Sequence, residues 1–319
     1  MASRRLEWAV AGALAGWAAV RLAGADRLAL AEHWTVPLLS FTPQVTAGAW
    51  AATLLLRSPG PCATAALAST ALTAAVVPRA LPSAQPAAAG PVLRVLTANL
   101  LVGRAEARAV TDLARSTDAD VLFVQELTKD AEVRLEQAGL NDLFTHQLTH
   151  SVAAGPRGSG IYARYPLTCE ALADPASAAQ ITAGLHLPNG QVVQLVCVHT
   201  PSPKPLWNQH ATARWNGELA ALPAPGGPPL ILAGDFNATL DHAQFRRLLH
   251  RGHFDAASQA GNGLTPTWGL RAQRRPAVLA IDHILVDAQC AVLGTSAHRL
   301  SGSDHRALFA KLRLPAPSD

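Results

Sequence analysis

The hydrophobic pattern divides the chain into an apolar N-terminal region and a longer region in which short apolar runs alternate with amphipathic ones. Three almost uninterrupted apolar stretches come first, at residues 8–25, 36–56 and 62–78. A helix needs ~17–25 such residues to cross a bilayer. Residues 1–79 are therefore predicted to be a membrane region with about three transmembrane helices. Two spans, or a signal peptide followed by buried helices, are the alternatives, but a cleaved signal would explain only one stretch.

Residues 80–91 are rich in Pro and Ala, carry no charge, and are predicted to be a linker. After it, short apolar runs predict strands and helical spacing predicts helices. Strands are predicted at 92–100, 121–127, 159–167, 181–187, 191–200, 229–237, 277–286, 290–298 and 306–314, and helices at 104–117, 129–138, 207–221 and 241–250. Asn189-Gly190 is a hairpin signal. This order predicts an α/β sandwich over residues 92–319, with the sheets inside and the helices outside.

Composition and charge narrow the range of partners. Hydrophobic residues make up 49% of the chain and charged residues only 15%, against about 25% charged in an average soluble protein. Residues 1–91 carry six arginines and three acidic side chains, whereas residues 92–319 have a net charge of +1. Bulk charge therefore does not indicate a basic nucleic-acid surface on the second region. Three arginines would lie at each side of the membrane, so the positive-inside rule leaves the orientation undecided.

The four cysteines form no Cys-x-x-Cys pair, which argues against a zinc site of the usual spacing. Cys197 lies in a Val/Leu run and is predicted to be a small buried hydrophobic residue. A Cys169–Cys290 disulfide is one option. A small basic cluster is expected to be a solvated face, with an anionic headgroup contact or a substrate clamp as alternatives; it consists of Arg271, Arg274 and Arg275.

Polar side chains collect at the ends of six predicted strands, where apolar packing does not favour them. They are Asn99, Glu126, His199, Asp235, Asn237, Asp282, His283, Asp304 and His305. Burying charged groups without partners costs several kcal/mol. Their repetition on six strands predicts one shared pocket at one edge of the sheets.

The chemistry that fits these residues is metal-assisted attack on a phosphoester. Glu126 with the oxygen atoms of Asn99 and Asp304 suits a hard cation such as Mg²⁺. A histidine beside a carboxylate supplies a donor to a negatively charged transition state. An Asp-x-Asn sequence can position a water molecule and hold a phosphate oxygen. The sequence contains no GxxxxGK[ST] phosphate loop.

Six short motifs in order resemble those of the endonuclease/exonuclease/phosphatase superfamily. They are TANL (97–100), QE (125–126), VHT (198–200), GDFN (234–237), IDHILV (281–286) and SDHR (303–306). The resemblance covers residues 92–314. It implies a four-layer α/β sandwich of the DNase I type and phosphoester hydrolysis that depends on Mg²⁺ or Mn²⁺.

The resemblance also implies a role for each matching residue. The metal ligands are Glu126, Asn99 and Asp304, and the catalytic residues are Asp235, Asn237, His199, His305 and Asp282. Asp235 orients or deprotonates the attacking water, or assists the leaving oxygen. Asp304 or Asp282 fixes the His305 ring. Tyr162 and Arg164 match a strand near the pocket less specifically and are weak candidates for substrate binding. Many members have Tyr where this chain has His283.

The layout of membrane helices followed by this domain is similar to that of the actinobacterial membrane phosphatases related to the teicoplanin-resistance protein VanJ. That similarity implies a multi-pass cell-membrane protein with an extracytoplasmic catalytic domain and a polyprenyl pyrophosphate-type substrate. The expected partners are membrane lipids and a lipid-linked phosphoester, and no protein partner is predicted. The alternatives are an anchored nuclease acting on extracellular DNA, a phospholipase- or sphingomyelinase-type phosphodiesterase, and a non-enzymatic binding protein that keeps the fold.

Overall fold

The computed structural model describes residues 2–27, 32–172, 181–203, 210–269 and 276–317. Helices occupy the N-terminal part of the described chain. They are α1 (Ala2–Ala23), α2 (Glu32–Leu39), α3 (Thr42–Leu55) and α4 (Pro59–Val76), the last continued by a 3-10 turn to Ala80. Two helical stretches, Ser3–Ala23 and Pro59–Ala80, are long and apolar enough to cross a membrane. Signal sequences and buried helices of soluble proteins share these properties.

The second apolar stretch does not form the single spanning helix that its hydropathy predicts. A turn at residues 40–41 separates α2 from α3. Pro43 stands in the first turn of α3, where its missing N–H cannot continue the helical ladder from α2. The two resulting helices have 8 and 14 residues, both shorter than the ~17–25 that a span requires.

Helices α1 and α4 pack side by side and run in the same direction. At one end of the pair, the Glu7 carboxylate accepts a hydrogen bond of 2.8 Å from the Ser58 amide. At the other end, Arg21 and Arg79 both bind Asp241 of the second region. Because α3 leads from the Asp241 end back to the Glu7 end, the chain enters and leaves this bundle at opposite ends.

The second region contains twelve strands among its described residues. They are β1 (Val92–Asn99), β2 (Val121–Gln125), β3 (His146–His150), β4 (Ser159–Ala163), β5 (Leu167–Leu172), β6 (Ile181–His186), β7 (Val192–His199), β8 (Leu230–Asp235), β9 (His253–Asp255), β10 (Asp282–Asp287), β11 (Ala291–Arg299) and β12 (Arg306–Arg313). They form two six-stranded sheets, in the orders β11-β12-β1-β2-β4-β3 and β5-β6-β7-β8-β10-β9. The two sheets pack face to face around a core that includes Val95, Phe123, Leu195, Ile231 and Ile284.

Helices cover the outer faces of both sheets. They are α5 (Ala107–Ser116), α6 (Lys129–Gln137), α7 (Leu140–Leu143), α8 (Ala211–Ala221), α9 (Ala243–Leu249) and α10 (Ala256–Gln259). Val110 of α5 packs with Leu122 behind the first sheet. Trp215 of α8 packs with Leu232 behind the second. The order helix, sheet, sheet, helix confirms the predicted α/β sandwich.

The predicted strands and helices match observed elements, with shifted ends. Gly190 has a φ of 83° in the predicted hairpin, which joins β6 to β7 in antiparallel register. The strand predicted at 277–286 begins only at Asp282. The helix predicted at 207–221 begins at Ala211, and residues 204–209 lie outside the described part. Strands β3, β5 and β9 were not among the predicted strands, because their short sequences carry little hydrophobic periodicity.

Asp241 joins the bundle to the sandwich. Its carboxylate accepts hydrogen bonds of 2.6 Å from Arg21 and of 2.8 and 2.6 Å from Arg79. Burial alone would raise the pKa of Asp241, but the Arg79 and Arg21 guanidinium groups outweigh it and lower that pKa. Next to it, the Asp26 carboxylate accepts the Ala243 amide at the start of α9, at 2.7 Å. The bundle is therefore attached by charged groups that are themselves buried.

The residues predicted to be a linker lie along the sandwich surface. Ser83 donates its amide to the Gln259 carbonyl at 3.0 Å, and the Gln85 side chain accepts the Val292 amide at 2.7 Å. The cysteine thiols are all free. Cys197 and Cys290 are buried and Cys169 is exposed, so the optional Cys169–Cys290 disulfide is not formed.

Candidate active site

The polar strand ends of both sheets meet at one edge of the sandwich. In the first sheet, β1 pairs with β2 so that Asn99 lies opposite Gln125, one residue before Glu126. In the second sheet, Asp235 pairs with both His199 and Asp282. Strand β12 runs antiparallel to β1, which brings the residues before Arg306 to the same edge. The two halves of the site therefore come from different sheets.

His305 is held by Asp282. Its Nδ1 donates to both carboxylate oxygens, at 3.1 and 2.9 Å, so that Nε2 faces the pocket, 3.7 Å from Asp235 Oδ2. Burial would lower the pKa of His305, but the carboxylates of Asp282 and Asp235 raise it to about 10. The ring is therefore an imidazolium with one N–H directed at the pocket, which is a donor suited to a phosphoryl oxygen.

Asp235 lies at the centre of the site and is 2% exposed. Its carboxylate accepts hydrogen bonds from the Asn237 amide at 2.8 Å and from the Asn99 side chain at 3.0 Å. His199 Nε2 lies 3.8 Å from the same carboxylate. Burial raises the pKa of Asp235 to about 6, against the opposing effect of His305. A carboxylate in this environment is suited to accept a proton from water near neutral pH.

Glu126 occupies the first position after β2. Its Oε1 accepts from Asn99 Nδ2 at 3.2 Å and its Oε2 accepts from the Val102 amide at 2.7 Å. His199 Nε2 is 3.7 Å from Oε1. These contacts fix the carboxylate at the pocket wall while its side chain stays 14% exposed. It is therefore positioned to bind a ligand from the pocket.

Asp304 has an unsatisfied buried oxygen. Its Oδ2 accepts a hydrogen bond from Trp268 Nε1 at 3.0 Å, but no described residue donates to its buried Oδ1. A buried carboxylate oxygen without a donor is costly unless a cation or water completes its coordination. Glu126 lines the same cavity, and carboxylate oxygens of this kind are ligands that Mg²⁺ prefers. Asn99 directs its Nδ2 at Glu126 and Asp235, while its Oδ1 accepts the Leu101 amide at 2.9 Å. The residues present therefore fit a hard divalent cation.

A second group of side chains also has cation spacing. One ligand atom each from Asp235, Asp282 and His305 lies within 4.8 Å of the others. His305 Nδ1 already bonds the Asp282 carboxylate, so Nε2 is the nitrogen of that ring that is left to face a ligand in the pocket.

The backbone is strained at two residues that contribute side chains to the site. Glu126 and Asn237 have φ values of 59° and 46°, which non-glycine residues seldom adopt. Gly234, directly before Asp235, has a φ of 149°, and a Cβ there would lie 1.9 Å from the Val198 carbonyl oxygen. Such conformations cost about 1–3 kcal/mol each and collect at functional sites. Asn237 Nδ2 also donates to the Thr200 carbonyl at 2.9 Å, which fixes its amide at the pocket.

Tyr162 and Arg164, the weak substrate-binding candidates, do not reach this pocket. Strand β4 runs antiparallel to β2, so that Ser159 lies near the site and Ala163 at the opposite end. Tyr162 is 1% exposed and packs among the apolar residues under the outer helices. Arg164 pairs with Asp118 at 2.6 Å. The direction of β4, and the alternation of its side chains between the two faces of the sheet, therefore place both residues away from the pocket.

The converging side chains border a cavity of about 620 Å³. One part of its wall is polar and includes Glu126, His199, Asp235, Asn237, Asp304 and His305. Another part is apolar and includes Leu101, Val278, Leu279 and Ile281. Residues of the α2–α3 turn also line it. The cavity thus combines a phosphate-binding type of surface with a hydrocarbon-binding type.

Residues 96–305 match the family described as endonuclease/exonuclease/phosphatase, which is more than half of the chain. The chain belongs to the endonuclease/exonuclease/phosphatase family. No curated protein matches its sequence. Members of this family hydrolyse phosphoester bonds and generally use a divalent metal ion.

Several solved structures share the fold of the sandwich. An endonuclease/exonuclease/phosphatase from Beutenbergia cavernae is similar with a TM-score of 0.55 and 19% identity, covering 70% of this chain and 72% of that one. A humanized D. rerio TDP2 is similar with a TM-score of 0.52 and 18% identity, covering 69% and 98%. SmcL is similar with a TM-score of 0.51 and 13% identity, covering 69% and 98%.

Several residues that support the family site were not among the predicted site residues. Trp268 binds Asp304, and the Thr267 hydroxyl accepts the Asp282 amide at 3.1 Å. The Ser303 hydroxyl donates to the Asn99 carbonyl at 2.7 Å and so ties the ends of β12 and β1 together. Ser303 is the first residue of the SDHR motif (303–306), which could have indicated it. Arg271, Arg274 and Arg275 lie outside the described residues.

Proposed function

We propose that this protein is a membrane-anchored phosphoester hydrolase that requires Mg²⁺ or Mn²⁺ and acts on a lipid-linked phosphate. A polyprenyl pyrophosphate is the preferred substrate class, as in the phosphatases related to VanJ that the layout resembles. The observation that carries the proposal is the attachment of the apolar helix bundle beside the catalytic cavity through Asp241. This arrangement would hold the cavity near the membrane surface, where the phosphate of a lipid substrate lies.

The surface of the bundle supports the membrane assignment. Of the exposed large hydrophobic side chains in the described chain, twelve lie before residue 82 and four after it. They include Leu54, Leu55 and Leu67, which are 83%, 79% and 74% exposed. Soluble monomeric proteins rarely expose apolar surface of this extent, and where it occurs it marks a site of contact with a membrane or another protein. Contact with lipid would account for it, because Leu67 lies on α4, one of the two helices with the length and composition of a span, and α3 packs against that helix.

The charges at the two ends of the bundle support an extracytoplasmic catalytic domain. Arg4, Arg5 and Arg57 are exposed at the end far from the sandwich. At the near end, Arg21 and Arg79 are 6% and 7% exposed and share the Asp241 carboxylate, which leaves Arg27 as the exposed arginine among the three on that side. Exposed arginines favour the cytoplasmic side. The far end therefore suits the cytoplasm and the sandwich the opposite side.

In the proposed reaction, Asp235 orients a water molecule and accepts its proton as the water oxygen bonds to phosphorus. The bond from phosphorus to the leaving oxygen breaks at the same centre, and the product phosphate retains the former water oxygen. His305, held by Asp282, donates a hydrogen bond to a phosphoryl oxygen, and Asn237 and His199 donate to the others. A divalent ion held by Glu126, Asn99 and Asp304 would supply charge neutralisation as a Lewis acid.

The test is phosphate release from undecaprenyl pyrophosphate by the full-length protein in detergent with Mg²⁺, with Asp235→Asn as the control. Nicking of plasmid DNA and hydrolysis of sphingomyelin and phospholipid are measured in the same preparation. Phosphate release without nicking supports the proposal. DNA nicking without phosphate release supports the anchored nuclease, and cleavage of the phospholipids alone supports the phosphodiesterase alternative.

A further inference from the structure

The turn between α2 and α3 forms part of the catalytic cavity. Pro37, Ser40 and Phe41 line the same cavity as Glu126 and Asp235. These residues precede the sandwich by more than fifty positions in the sequence. The helical region therefore does more than attach the enzyme to a surface, because it supplies atoms to the wall of the site.

Hydrogen bonds to the catalytic domain hold this turn in place. His242 Nε2 donates to the Val36 carbonyl at 2.9 Å, while His242 Nδ1 accepts the Thr239 amide, also at 2.9 Å. Val36 is itself fully buried in the core outside the second sheet. On the other side of the turn, Gln44 Nε2 donates to the Val278 carbonyl at 2.6 Å. Both flanks of the turn are thus tied to the sandwich.

The side chains that the turn presents are apolar and accessible. Phe41 is 40% exposed, and Pro37 is half-buried. The segment bound by Gln44 adds Val278 and Leu279, which are half-buried and line the cavity as well. The cavity has acidic and imidazole groups in its wall, and it also has apolar side chains that are still partly exposed. Such a wall fits a ligand in which a phosphate is joined to a hydrocarbon.

We propose that Phe41, together with Pro37, binds the hydrocarbon chain next to the scissile phosphate and determines specificity for long-chain lipid phosphates. This assignment rests on the proposed function. The occupant is the prenyl chain of the substrate, because the apolar wall is continuous with the helix bundle whose outer surface is apolar. The phosphate end meets the catalytic groups, and the chain leaves the cavity along the α2–α3 turn.

The experiment compares two substrates with the same pyrophosphate group, undecaprenyl pyrophosphate and dimethylallyl pyrophosphate. The full-length wild type, Phe41→Ala, Phe41→Leu and Leu38→Ala are assayed in mixed micelles of one composition with Mg²⁺. Leu38 is the matched control because it lies close to Phe41 in the sequence, at the end of α2, is 51% exposed and is not among the residues that line the cavity. The readout is the ratio of kcat/KM for the long substrate to that for the short one.

We expect Phe41→Ala to lower this ratio roughly tenfold, since loss of apolar contact in a pocket typically changes discrimination by about that factor. Phe41→Leu should recover part of the loss, and Leu38→Ala should leave the ratio as in the wild type. An unchanged ratio in Phe41→Ala, with wild-type hydrolysis of the long substrate, overturns this assignment and leaves the proposed function intact. If the wild type hydrolyses neither pyrophosphate, the proposed function fails and this assignment fails with it.

Discussion

The Arg79 guanidinium donates two hydrogen bonds, of 2.8 and 2.6 Å, to the carboxylate of Asp241, which lies 162 residues further along the chain. Arg21 binds the same carboxylate at 2.6 Å. Because Arg21 lies in the last turn of α1 and Arg79 in the 3-10 turn after α4, one carboxylate binds the near ends of both helices. Asp241 is therefore the residue of the catalytic domain that receives both charged contacts of the helix bundle.

Asp241→Asn should destabilise the protein, because it leaves two buried guanidinium groups without a countercharge. Removing one partner of a buried ion pair typically costs about 3–5 kcal/mol. A thermal unfolding scan in detergent should show a lower Tm for the variant. Asp112→Asn is the control, because its pair with Arg115 is 71% exposed at the carboxylate and such pairs contribute about 0–1 kcal/mol. Equal Tm values for the two variants would contradict the role of Asp241.

The contribution of Asp241 should disappear in acid. Its pKa is lowered in the folded protein, so the stabilisation is fully present above the unfolded value, about 3.9, and is lost as the pH falls through the folded value. The Tm difference between wild type and Asp241→Asn should therefore be large at pH 7 and shrink below about pH 4. A Tm difference that grows on acidification would show that folding does not lower the pKa of Asp241.

Glu126→Gln and Asp235→Asn should each abolish detectable turnover while the fold is retained. General acid–base catalysis contributes about 10²–10⁴ in rate, and loss of cation binding adds to this. Phosphate release is measured together with circular dichroism. Glu136→Gln, an exposed glutamate on α6, provides the matched control and should retain wild-type activity. Full activity in either site variant would exclude its assigned role.

Removal of divalent ions should stop the reaction reversibly. Asp304 Oδ1 has no hydrogen-bond donor among the described residues, and Glu126 lines the same cavity, so we expect both carboxylates to bind the cation. EDTA should eliminate phosphate release, and Mg²⁺ or Mn²⁺ should restore it. Asp304→Asn should raise the Mg²⁺ concentration needed for half-maximal activity by about tenfold, as loss of one group around a metal often does. Hydrolysis that persists in EDTA would contradict metal dependence.

His283 should act as a buried cation that supports the Asp235 turn. Its Nδ1 bonds Asp255 at 2.9 Å and its Nε2 bonds the Ala238 carbonyl at 2.9 Å, so both nitrogens donate. Burial would lower its pKa, but Asp255 raises it. His283→Phe should lower stability by about 3 kcal/mol, since Asp255 loses its charged partner. The half-buried His298 on β11 is the control, and His298→Phe should change the Tm little.

Much of the catalytic domain could be predicted from local pattern alone. Each strand that ends at Asn99, His199 or Asp235 is an apolar run followed by a polar residue, and this pattern spans only a few positions. The resemblance to a family strand suggested Tyr162 and Arg164 for the pocket, whereas the direction of β4 and the sheet face that its side chains occupy place both residues away from it. Periodicity also predicted one span at residues 36–56, whereas Pro43 and the contacts of Val36 with the sandwich divide it.

The sequence by itself determined the strands, the ordered motifs and the polar residues that the family site requires, because each of these is encoded by neighbouring residues. Only the tertiary structure decided that Asp241 receives Arg21 and Arg79, and that Phe41 lines the same cavity as Asp235. These contacts join positions that are far apart in the chain, and their energy comes from burial and charge pairing that exist only after the helices have docked. Local hydropathy cannot predict which distant residue will pair with a buried charge.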